Sequence, residues 1–163
     1  MDIKTQQHYN CSVDTLMDCF FDANYIKQKF TDLGNENVDV SFCDKGPNKG
    51  KISFSYAAQA SANIPPSLQS FANGATPLAQ TELWKHQEGQ WLCEYTVKLE
   101  GLPVELTGSM CVSATEAGCV NEVCLNVTCP IPILGKAIEE FLEQDSHDQI
   151  EAEYQHIKAH LGA

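Results

Sequence analysis

Four consecutive stretches, "PLAQTELWKH", "QWLCEYTVKLE", "PVELTGSMCVSA" and "CVNEVCLNVTC", alternate apolar and polar residues, and short polar or glycine-containing turns separate them. No other feature of the chain restricts its folding as much. Period-two segments joined by short turns pair as an antiparallel meander, and the alternation puts every apolar side chain on one face. Turns centred near Glu88 and Gly89, near Gly101 and Leu102, and near Ala117 and Gly118 set a register. In it Trp84 opposes Cys93, Tyr95 opposes Gly108, Met110 opposes Leu125, and Leu106 opposes Cys129. Trp91, Cys93, Tyr95 and Val97 then share a face with Leu106, Met110 and Val112 and with Val123, Leu125 and Val127, while Glu94, Thr96, Lys98, Thr107 and Ser109 face away. A slip of one residue would turn a whole apolar set outward, so agreement across the hairpins supports the pairing.

A sheet with one apolar face needs a cover. Pro130 and Pro132 end the ladder, and Leu134, Ile138, Phe141, Leu142, Ile150, Tyr154, Ile157 and Leu161 then recur at helical spacing. A helix of nearly thirty residues spans roughly 40 Å, long enough to cross a twisted sheet. Toward the N-terminus, "IKTQQHY" reads as a strand. Ser12 caps a helix through "VDTLMDCFFD", Asp22, Ala23 and Asn24 interrupt it, and "YIKQKFTDL" forms a second helix ending at Gly34. Val38, Val40 and Phe42, then Ile52, Phe54, Tyr56 and Ala58, alternate as a hairpin about "DKGPNKGK".

The order is strand, two short helices, six strands and one long helix, an α+β arrangement. "SVDTLMDCFFDANYIKQKF" resembles the early helix pair of the START-like superfamily (helix-grip, SRPBCC-type), and "PIPILGKAIEEFLEQD" resembles its entry into the final helix. The chain is most similar to an uncharacterised bacterial branch of that superfamily. The resemblance covers residues 1–163 as one START-like domain and implies a helix-grip fold, with a curved antiparallel sheet of about seven strands wrapped around the C-terminal helix. It also implies a pocket for an apolar ligand between sheet and helix. No invariant catalytic motif comes with it.

Composition narrows the function classes. The formal charge of −12 opposes attraction to nucleic acid or anionic lipid, where binding gains from Lys and Arg on phosphate. With 43% hydrophobic and 20% charged residues the chain is of globular type, and no unbroken apolar run reaches the roughly 18 residues of a membrane span. "MDIKTQQHYNCSV" shows neither a basic leader nor an apolar core, so a cytoplasmic location is the expectation. The eight cysteines then read as thiols used as small hydrophobes. The register makes Cys111 and Cys124 direct neighbours that could oxidise, while Cys119, Cys124 and Cys129 are too spread along a strand for one metal. His156 and His160 lie one helical turn apart and read as solvated. No metal, no cofactor and no phosphate-binding loop is expected.

The candidate site follows from the inward face. Binding of a small hydrophobic molecule, a lipid, isoprenoid or aromatic metabolite, would fall to Phe54, Tyr56, Trp84, Trp91, Tyr95, Met110, Ile138, Phe141 and Leu142. Gln80 and Glu82 share the parity of Trp84 and, with Tyr95, could orient a polar end, unless the strand bends and leaves Glu82 in water. Gly108 opposite Tyr95 either opens space beside the phenol or marks a bend. Two alternatives stand beside this noncatalytic reading. One is a cyclase- or hydratase-type enzyme using Glu82 and Tyr95 as acid and base; the other is a protein-interaction module with a filled core and an acidic docking helix. The 61–75 connection and the early helix pair would gate the pocket.

Overall fold

Local chemistry starts each of the first helices. The computed structural model describes residues 2–59, 66 and 76–162. After β1 (Asp2–Tyr9), the Ser12 hydroxyl accepts from the Thr15 backbone N–H at 3.1 Å and opens α1 (Val13–Phe20). The Asp22 carboxylate does the same for Tyr25 at 3.1 Å, so the residue expected to interrupt α1 is the N-cap of α2 (Ala23–Asp32). Gly34, with φ of +94°, takes the left-handed position that ends α2.

Six strands follow: β2 (Glu36–Lys45), β3 (Lys49–Ala58), β4 (Thr76–Gln87), β5 (Gln90–Leu99), β6 (Glu105–Thr115) and β7 (Gly118–Thr128). They form one antiparallel seven-stranded sheet in the order β1-β7-β6-β5-β4-β3-β2, so β1 returns to pair with the last strand. The long helix α3 (Gly135–Leu161) crosses its concave face. The fold is α+β and helix-grip-like. The 61–75 connection expected to gate a pocket lies outside the described residues, Pro66 excepted. Among the described residues no helix is long and apolar enough to cross a membrane.

Trp84 pairs with Cys93 and Tyr95 with Gly108 as the turns imply. Glu88 and Gly89, at φ of 55° and 77°, supply the left-handed pair that a two-residue hairpin between β4 and β5 requires. Between β6 and β7 the register differs from expectation by two residues: Met110 pairs with Val123 and Leu106 with Val127. The turn there is only Glu116 and Ala117, because Gly118 belongs to the strand and lies against the backbone of Tyr9 and Cys11, where a Cβ would clash. A two-residue shift preserves which face each side chain occupies, so the apolar face survives. It does separate the two cysteines: Cys111 faces Glu122 and Cys124 faces Ser109, so they are not direct cross-strand neighbours.

On β2 the alternation breaks. Irregularities fall between Glu36 and Asp39 and between Val40 and Phe42. Beyond the second, Cys43 joins the core opposite Ile52 and Phe42 turns outward at 47% exposure.

Candidate functional site

The apolar faces of sheet and helix do not close on each other. Along α3 only Gly135, Ile138 and Ile157 are buried, near its two ends. Phe141, Leu142 and Ile150, between them, are half-buried because they border a cavity of about 310 Å³ between the sheet, α2 and α3. Its size is that of a small-ligand site. One wall is aromatic: the Phe30 ring stacks on Tyr56 at 4.7 Å and lies 4.9 Å from Phe54. Leu106 of β6 and Leu125 of β7 line the cavity from the sheet. Ala58, Gln59 and Thr76 line the same cavity at the adjoining ends of β3 and β4.

Of the residues singled out in the sequence, Phe54, Tyr56, Gln80, Glu82, Tyr95, Met110, Ile138, Phe141 and Leu142 line this cavity. Trp84, Trp91 and Gly108 do not. Trp84 packs against Phe20 and Phe21 at the C-terminal end of α1, at 5.9 and 6.1 Å. Trp91 is buried, stacked on His86 at 4.9 Å with the Lys45 ammonium 5.3 Å from its ring. These indoles plug the β4–β5 end of the sheet. At Gly108 the space is taken: a Cβ there would overlap the Tyr95 ring, whose hydroxyl donates to the Cys124 carbonyl at 3.1 Å. Gly108 therefore accommodates Tyr95 rather than a ligand, and a bulky side chain would disturb the fold itself.

Glu82 is inside, at 8% exposure. Its carboxylate accepts from Gln80 Nε2 at 2.7 Å and from Trp84 Nε1 at 3.0 Å. Burial pushes its pKa upward, opposed by the Trp84 bond, the Lys29 charge and the Gln80 bond. Burial also raises the pKa of Tyr95, whose hydroxyl is committed to a backbone carbonyl. A phenol so placed is a poor proton carrier near neutrality.

Several lining residues went unnoticed in the sequence. Lys29 of α2 pairs with Glu153 of α3 at 3.0 Å, and both line the cavity. Asp145 lines it too, its pKa raised first by burial and then by Asp148. Gln7 and Asn121, cross-strand partners on β1 and β7, are 5% and 2% exposed. Both share the parity of buried apolar neighbours, Gln7 with Ile3 and Tyr9 and Asn121 with Val123 and Leu125. That parity was the available signal. Lys29, Asp145 and Glu153 on α2 and α3 had none, since helix placement across the sheet is not written in spacing. His156, expected in solvent, donates from Nε2 to Asp32 Oδ2 at 2.9 Å and shares a 2.7 Å hydrogen bond between Nδ1 and Tyr25 Oη, while His160 stacks on Tyr25 at 4.0 Å. These contacts and the Lys29–Glu153 pair hold α2 against α3 along one side of the cavity.

Comparison with known proteins bears on the fold. Residues 4–161 match the model of a family described as a protein of unknown function (DUF2505). No protein of curated function matches. Among solved structures the fold is similar to that of protein Ms6760 from Mycobacterium smegmatis, with a TM-score of 0.63, 10% identity, and 99% of this chain and 90% of that one covered. It is also similar to TTHA0849 from Thermus thermophilus, with a TM-score of 0.65, 11% identity, and coverage of 95% and 92%. A protein from Rhodobacter sphaeroides aligns with a TM-score of 0.60, 12% identity, and coverage of 99% and 91%.

Proposed function

The chain belongs to the DUF2505 family of proteins of unknown function, and from its site we propose that it binds a small hydrophobic molecule between sheet and C-terminal helix, without catalysis. One observation carries this reading: α3 stands off the sheet over its middle, leaving Phe141, Leu142 and Ile150 half-buried around a cavity of about 310 Å³ walled by Phe30, Phe54 and Tyr56. Apolar surface left unfilled forfeits burial and dispersion energy, and a guest of matching shape restores both. The resemblance to the START-like superfamily supports the same reading.

The noncatalytic form is preferred over a cyclase or hydratase because the acid–base pair such an enzyme would use is incomplete. Glu82 is buried with two hydrogen-bond donors, and Tyr95 is bound to Cys124. The cavity itself weighs against an interaction module with a filled core.

Native mass spectrometry of gently purified protein, followed by organic extraction of whatever unfolding releases, tests the proposal alongside titration with the neutral dye Nile red. A discrete apolar adduct, or saturable dye binding that stabilises the fold, is expected. A clean unliganded mass together with no dye binding would refute it.

A further inference from the structure

Resting on that reading, the inference concerns the ligand's head group. Asn121 lines the cavity from β7 and is 2% exposed. Its Nδ2 donates to the Met110 sulfur at 3.6 Å, and its Oδ1 is fully buried with no hydrogen-bond partner among the described residues. A thioether accepts hydrogen bonds and cannot donate one, so the amide nitrogen belongs against Met110 and the oxygen is the group left over. Buried polar atoms are nearly always paired, and a lone acceptor needs a donor. Water entering an unliganded cavity can supply one once the Asn121 side chain turns its oxygen toward that space. A ligand that displaces that water has to bring its own or leave the oxygen unsatisfied.

The charges of the lining act in the same direction. Glu82, Asp145 and Glu153 all border the cavity against one cation, Lys29, which Glu153 already engages at 3.0 Å. No basic group is thus left to receive a carboxylate or phosphate head among the described lining residues, and a further anion would meet two acids in a poorly solvated space.

We infer that the cavity selects neutral amphiphiles whose polar end donates a hydrogen bond, as an alcohol does, and discriminates against fatty carboxylates and against ethers and esters of the same length. An alcohol hydroxyl can donate to Asn121 Oδ1 once the side chain turns it toward the cavity, while the apolar chain contacts lining residues such as Phe30, Phe54 and Phe141. A carboxylate brings only acceptors and a charge. An ether brings an acceptor alone.

Displacement of bound Nile red by decanol, decyl methyl ether and decanoate at neutral pH separates these properties at nearly constant chain length. Decanol is expected to displace the dye at concentrations about ten- to hundredfold below either competitor, the ratio that corresponds to leaving one buried acceptor unpaired. Ether or carboxylate binding as tightly as the alcohol would overturn the inference and leave the pocket standing. Failure of the dye itself to bind would remove the pocket and the inference together. In Asn121→Leu the dye affinity is measured afresh and the competitors are compared against it, and the melting temperature should hold or rise, because an unpaired acceptor has left the core. The preference for decanol over the ether should vanish in that variant; a preference that persists would overturn the assignment to Asn121.

Discussion

Alanine at Gly108 tests how the centre of the sheet is built. The Tyr95 ring lies against Gly108, and a Cβ added there would overlap that ring and stand 2.5 Å from the Cys124 carbonyl oxygen. The same carbonyl accepts the Tyr95 hydroxyl at 3.1 Å. The methyl group can enter only if the ring leaves, and the ring cannot leave without giving up that hydrogen bond. Overpacking of this kind costs about 1–3 kcal/mol, and a lost hydrogen bond about 0.5–1.5 kcal/mol. Their sum, about 1.5–4.5 kcal/mol, corresponds to a fall in Tm of roughly 3–18 °C for a domain of this length. Because Tyr95 lines the cavity, a displaced ring also narrows it, so Nile red affinity should fall alongside. Thermal and urea unfolding of Gly108→Ala, Tyr95→Leu and the double variant measure the coupling. The alanine should cost about 1–3 kcal/mol less once the ring is gone. A Gly108→Ala variant melting within a degree or two of wild type, or an equal cost in both backgrounds, would refute this account of the sheet.

Leu142→Trp should fill the space beside α3, lowering dye affinity at least tenfold with little change in Tm; unchanged dye binding would place the guest elsewhere. For Glu82, burial raises the folded-state pKa above the ordinary 4.5. Its contribution to stability is therefore complete below that ordinary value and is lost as pH rises through the higher folded value. Urea unfolding of Glu82→Gln across this range should show the variant gaining on wild type as pH rises, and parallel curves would contradict the burial effect. Asp22→Ala removes the cap of α2 and should cost about 1 kcal/mol, or roughly 2–4 °C in Tm. No shift in a melting curve would mean that the Asp22–Tyr25 hydrogen bond contributes nothing.

The sequence determined the faces. Alternation along β5, β6 and β7 assigns Trp91, Cys93, Tyr95, Leu106, Val112, Val123, Leu125 and Val127 to the interior, and all are buried. It placed α3 to within a residue of its C-terminal end, because prolines stop a ladder and helical periodicity over many turns admits one reading. Where local chemistry pointed two ways, the structure chose. Gly118 could serve a turn or a strand, and its close contact with Tyr9 and Cys11 from the β1 end of the chain put it in the strand, moving the β6–β7 register by two. Phe42 could follow Val38 and Val40 inward, but an irregularity in β2 gave that place to Cys43.

The site divides along the same line. Periodicity identifies which side chains point inward, and so it found Phe54, Tyr56, Glu82 and Tyr95. It does not measure the gap between sheet and helix, nor say which inward groups fill it. Trp84 and Trp91 closed one end of the sheet, Tyr95 covered Gly108, and α2 brought Lys29 and Phe30 to a cavity formed largely by residues far along the chain. Those outcomes depend on volumes and distances between elements distant in sequence, which only the assembled tertiary structure sets.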